Sequence, residues 1–116
     1  KNRLVKLFEP ADRFVTVCRW KAHYALRVFR KAPTQTNLIT LIKMMRFYLG
    51  SIAKINNFLA QSFTSNELLT ALRKKKPGLD NIDALELMES LLDEENITPD
   101  ETNKIAEQLK LLVKKL

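Results

Sequence analysis

The sequence predicts an all-α protein, a single compact bundle of about five to six helices over residues 1–116, and three observations predict it. Two Gly and four Pro in 116 residues are too few for an all-β chain that must turn repeatedly. Leu and Lys dominate and Ala is common, where strands would favour Val. Apolar residues recur in steps of three and four, the spacing that stacks side chains along one helical face. With 46% hydrophobic residues, a chain of this length builds one real core rather than the several of a multidomain enzyme.

Each element follows from its punctuation. Leu4, Val5, Leu7 and Phe8 make a short apolar turn that stops at Glu9 and Pro10, and Pro10 is pre-organised to open a helix over 10–31. Ala11, Phe14, Cys18, Ala22, Ala25 and Phe29 form its buried stripe. Pro33 and the polar stretch Thr34 to Asn37 break it. A long central helix is predicted over 37–63, with Leu38, Ile42, Met45, Leu49, Ile52 and Leu59 on one stripe and Leu41, Met44, Tyr48 and Ile55 beside it. Gly50 sits inside it at a cost of about 1 kcal/mol relative to Ala, which points to a bend or a close backbone approach.

Thr64 and Glu67 form a capping box that starts a shorter helix over 65–75. Arg73, Lys74, Lys75 and Lys76 end it ahead of the Pro77 and Gly78 turn. Asp80 and Asp83 open the helix at 81–94, whose apolar face is Ile82, Leu85, Met88, Leu91 and Leu92. Thr98, Pro99, Asp100 and Glu101 give the last helix, 99–115, a capping hydroxyl, a first-turn proline and acids at the positive end of its dipole. Ile105, Leu109, Leu112 and Leu116 line its inner face.

The net charge of +7 conceals an asymmetry. Residues 1–76 hold sixteen basic and three acidic side chains, and residues 77–116 hold four and ten. The basic half points to an anionic partner. On the 10–31 helix, Arg13, Arg19, Trp20, His23, Tyr24, Arg27, Arg30 and Lys31 project opposite the apolar stripe, so basic and aromatic groups share the outward side. Guanidinium and ammonium groups neutralise phosphates and release counterions, and rings stack on unpaired bases. The alternative for Trp20 and Tyr24 is packing against another helix. Lys43, Arg46 and Lys54 form a sparser stripe, with Gly50 at the intermediate position where a phosphate could approach; the alternative is a charged rim on a core helix. The run Arg73 to Lys76 is a basic cluster that also suits a targeting signal or the negative end of its own helix.

The acids Asp83, Glu86, Glu89, Asp93, Glu94 and Glu95 read as a solvated face. They would also complement the basic half of a second copy, and such head-to-tail contacts build open filaments.

Catalytic and metal chemistry lack their parts. One His and one Cys on different faces of a helix make no zinc site, no Gly-rich phosphate loop is present, and no Ser-His-Asp set can be assembled from nearby residues. His23 as a general base lacks an orienting partner. Cys18 lies in the apolar stripe and reads as a buried structural thiol, and Glu9 and Asp12 as charges at a helix start. The expectation is of no enzyme, no cofactor and no metal. A lone cysteine suits a reducing, cytoplasmic interior. The apolar stretch Leu38 to Ala60 is interrupted by Lys43, Arg46 and Lys54, against a membrane span. No signal-peptide pattern opens the sequence, and Lys1 in place of Met is consistent with a natural start further upstream.

By size, charge and helicity the chain resembles the small helical subunits of ribonucleoprotein machines, including the small subunits of CRISPR effector complexes that serve antiviral defence. That resemblance implies a basic bundle that stacks in copies and holds nucleic-acid backbone without reading sequence, and it assigns no residue roles. The leading expectation is therefore a non-catalytic, sequence-tolerant RNA- or DNA-binding subunit with single strands favoured, using Arg13, Arg19, Arg27, Arg30 and Lys31 on phosphate. The alternative is a protein-interaction adaptor acting through its acidic C-terminal helices. The stretch Asp83 to Leu109 is loosely similar to the last helices of death-fold adaptors. Membrane binding through the 10–31 helix is disfavoured, because its outward side carries few large aliphatics.

Overall fold

The computed structural model describes residues 10–116, and these form a single helical bundle of six helices. In chain order they are α1 (Pro10–Lys31), α2 (Gln35–Ala53), α3 (Asn57–Ser62), α4 (Ser65–Arg73), α5 (Asp83–Ser90) and α6 (Pro99–Lys115). The apolar turn expected at Leu4 to Phe8 lies outside the described residues.

Helix α2 is the hub, packed against α1, α3, α4 and α5, and α6 closes the bundle by lying on both α5 and α1. Its place follows from a mostly apolar circumference: Leu38, Leu41, Ile42, Met45, Tyr48 and Leu49 are all buried. They meet Cys18, Ala22, Ala25 and Phe29 of α1, Leu68 and Leu72 of α4, Leu85 and Met88 of α5, and Ile105, Leu109 and Leu112 of α6 in one core. The small residues Ala22 and Ala25 let α1 and α2 pack closely. Gln35 fastens the start of α2 to the far end of α5, its Nε2 donating to the carbonyl of Leu91 at 3.1 Å and to that of Glu94.

The helix starts match their sequence signals. Thr64 accepts from the Glu67 amide at 3.1 Å while Glu67 accepts from the Thr64 amide at 2.8 Å, and Thr98 and Glu101 repeat the box at 3.1 and 2.9 Å. Thr34, read from the sequence as part of a breaking loop, is itself the cap of α2 and accepts from Asn37 N at 3.2 Å.

The predicted long helix over 37–63 is two helices with a reversal between them. Lys54 takes a left-handed conformation (φ 63°) and ends α2, its amide donating to the Gly50 and Ser51 carbonyls. Ile55 N donates to Gly50 O at 3.0 Å, and Asn56 Oδ1 then caps α3 by accepting from Leu59 N at 2.9 Å. Gly50 makes the fold-back possible, because a Cβ there would sit 2.6 Å from Ala60 Cβ. The apolar periodicity runs through this turn without a break, which is why period alone joined the two helices.

Three further expectations need correction. Phe14 is half exposed rather than core, meeting Phe47 edge-on at 5.3 Å from the rim of the buried arc. Leu59 is exposed because α3 turns it away from α2. Helix α5 stops at Ser90 rather than continuing to 94, which leaves Leu92 exposed, and it starts at Asp83 rather than 81, where Asn81 Oδ1 accepts from the Asp83 amide at 3.2 Å.

Candidate nucleic-acid interface

From Arg13 to Lys31, α1 carries one buried arc and a broad exposed one. At about 100° per residue the exposed arc covers more than half the helix, and its neighbours divide it into two flanks. On the flank facing α6, Arg19, His23, Arg27, Arg30 and Lys31 line a groove of about 570 Å³. Its floor is Ala22 and Leu26 of α1, Met45 and Tyr48 of α2, and Leu109 and Val113 of α6, and Lys110 of α6 stands opposite the arginine row. The five basic residues Arg19, Arg27, Arg30, Lys31 and Lys110 are all exposed. Among the described residues none of them has an ion-pair partner, so their charge faces the groove and solvent uncompensated by a salt bridge.

On the other flank, facing α2, Val17, Trp20, Tyr24, Val28 and Met44 line a nearly apolar groove of about 410 Å³, with Lys21, Asn37 and Thr40 at its edges. Trp20 and Tyr24 are 65% and 66% exposed, so they are not packed against another helix in this chain. The arginines and the rings thus share a helix but not a groove. Arg13 is exposed nearer the start of α1 and lines neither.

The second stripe does not survive folding. Arg46 is buried and turned inward: Nη1 donates to Ala60 O at 3.0 Å and Phe63 O at 2.7 Å, and Nη2 to Glu89 Oε2 at 2.9 Å. Ser65 Oγ donates to the other Glu89 oxygen at 3.0 Å. Arg46 therefore satisfies carbonyls at the end of α3 and ties α2 to α5, and it is not a phosphate ligand. Lys54 is exposed but belongs to the turn, and Lys43 is exposed beside a small cleft shared with Arg46, Gln61 and Glu89. The space left by Gly50 is occupied by Ala60 rather than open to a phosphate.

The basic run after α4 divides as well. Arg73 fastens the following turn, Nε donating to Leu79 O at 2.9 Å and Nη2 to Asp80 O at 2.5 Å. Lys74 and Lys75 are exposed and Lys76 is half-buried. Of the acids, Glu89 is engaged by Arg46 and Ser65, while Asp83, Glu86, Asp93, Glu94 and Glu95 are exposed.

Cys18 is fully buried, and desolvation raises its thiol above the ordinary 9.0, opposed by a hydrogen bond with Ser51 and by Lys21. Burial likewise raises the Tyr48 hydroxyl, and Arg19 opposes that rise across the groove. No group of three or more His, Cys, Asp and Glu among the described residues is placed to hold a metal ion. No helix among them is long and apolar enough to cross a membrane.

Sequence reasoning missed the α6 wall of the groove. The helical stripe puts Leu109 in the core, but nothing local to Lys110 and Val113 brings them to Arg19 and Arg27, since only the docking of α6 on α1 does so. Comparison with protein-family models, curated proteins and solved structures finds no match to this chain.

Proposed function

We propose that the chain is a non-catalytic module that binds the backbone of nucleic acid without reading sequence, within a larger ribonucleoprotein assembly. One observation carries this reading: the row Arg19, Arg27, Arg30 and Lys31, faced by Lys110, lines a single groove with no acidic partner among the described residues. A row of uncompensated like charge is unfavourable for folding, and a polyanion laid along it would release counterions and relieve the repulsion. Such contacts are indifferent to base order. Arg27 and Arg30 are the side chains to test, because both are exposed and neither makes a contact that holds the bundle. The double substitution R27A/R30A should weaken oligonucleotide binding without lowering the thermal midpoint, because it relieves repulsion along the row. Unchanged affinity would remove the groove from the account.

A second reading, of a protein-interaction adaptor, draws support from the other flank of α1 rather than from the acidic C-terminal helices. Trp20 and Tyr24 leave apolar surface in water beside Val17, Val28 and Met44, and exposed apolar grooves of this kind mark contact surfaces. The two readings are compatible in a subunit that holds nucleic acid on one flank of α1 and a neighbouring protein on the other.

A further inference from the structure

We infer that the groove between α1 and α6 takes single-stranded nucleic acid, with bases lying on its apolar floor and phosphates on its cationic rim. This rests on the binding proposed above and specifies its ligand. A surface that only attracts polyanions needs no apolar floor, yet Leu26 and Val113 are partly exposed between the cations, with Met45, Tyr48 and Leu109 beneath them. A duplex turns its phosphates outward and keeps its bases stacked inside, so it would meet the rim and leave that floor in water. A single strand exposes both, and its unstacked bases carry apolar faces that match the floor.

The dimensions agree. The groove is about 570 Å³, within the range of roughly 300–1,000 Å³ that admits small organic groups such as a nucleobase. Arg19 and Arg30 lie about 16 Å apart along α1 at 1.5 Å per residue, a reach of a few nucleotides. The division of α1 into two flanks also moves the stacking surface. Trp20 and Tyr24 face α2, so bases on the arginine side meet Leu26 and Val113 instead.

Fluorescence anisotropy with the full chain tests this against four ligands: oligothymidylate, an abasic oligomer of the same length, a duplex of the same length, and polyglutamate. Oligothymidylate is expected to bind about threefold or more tightly than the abasic oligomer, the effect of burying a few tens of Å² of base face on an aliphatic floor at about 25 cal/mol/Å², and more tightly than the duplex or polyglutamate. Leu26→Ser should lower affinity for oligothymidylate and leave that for the abasic oligomer unchanged. If that substitution disturbs folding, the comparison of ligands on the unsubstituted chain decides alone. Equal affinity for oligothymidylate and abasic oligomer, or tighter duplex binding, overturns the inference while leaving charge-based nucleic-acid binding in place. Polyglutamate bound as tightly as oligothymidylate overturns it in favour of an acidic protein partner. No binding to any of the four at low salt overturns both this inference and the function it rests on.

Discussion

Arg46 and Glu89 meet at 2.9 Å between α2 and α5, with the arginine side chain 8% exposed and the glutamate 34%. The guanidinium also holds the carbonyls of Ala60 and Phe63, and the carboxylate also accepts from Ser65. One charged pair thus joins α2, the end of α3, the start of α4 and α5. Arg46→Ala strands the Glu89 carboxylate and two carbonyls, and the expected loss is about 3 kcal/mol, the lower end for breaking a buried pair because Glu89 is partly solvated. Glu89→Gln keeps an acceptor for Arg46 but removes the counter-charge of a buried guanidinium, and should lose about 2 kcal/mol. Urea midpoints of the two proteins check this. An Arg46→Ala protein of unchanged stability that binds oligonucleotide less tightly would return Arg46 to the surface.

Gly50→Ala sets two effects against each other. Helix propensity favours Ala by about 1 kcal/mol, but the new Cβ would lie 2.6 Å from Ala60 Cβ. Both atoms sit on packed backbone, so the clash wins, with an expected net loss of about 1–3 kcal/mol. The double substitution G50A/A60G should recover most of it, and a double-mutant cycle by chemical denaturation measures the coupling. Additive effects would show that α3 does not pack on Gly50.

Lys54 holds a left-handed backbone conformation that suits glycine. Lys54→Gly removes about 1 kcal/mol of steric cost against a somewhat smaller gain in unfolded-chain freedom, so stability should rise by about 0.5 kcal/mol. Lys54 lies outside both α1 grooves, so oligonucleotide affinity should not change. A loss of affinity would place Lys54 back in the interface.

Burial raises the Cys18 thiol and the Tyr48 hydroxyl above their ordinary values of 9.0 and 10.0. The unfolded chain therefore gives up these protons first as pH rises. Their contribution to stability is full below about pH 9 and is lost as pH climbs through the raised folded values. Urea midpoints should be level near neutrality and decline continuously above about pH 9. In the native state Cys18 should resist Ellman's reagent at neutral pH, because the thiol is buried and protonated. Prompt labelling without unfolding would contradict its placement.

Much of the fold was legible because its signals are local. Thr64 with Glu67 and Thr98 with Glu101 are capping boxes in the sequence and in the structure, and the buried stripe Cys18, Ala22, Ala25 and Phe29 follows from helical period alone. The break at Lys54 was hidden, because a left-handed lysine has no sequence mark and the apolar pattern continues through it. Gly50 signalled a close approach, but its partner Ala60 emerges only once the chain folds back. The site shows the same division. Arg27 and Arg46 both read as surface cations, yet one lines an open groove and the other is buried against Glu89, because α5 docks on α2 beside only one of them.

The salt dependence of oligonucleotide binding tests the central claim most directly. The affinity of the full chain for a single-stranded oligonucleotide, measured from low to physiological salt, should fall linearly in log–log form at about −0.7 per neutralised phosphate, a slope of about −3.5 for the five basic side chains of the groove. The R27A/R30A protein should show a slope shallower by about one to two. Absence of binding at low salt, or affinity that does not change with salt, would contradict the account.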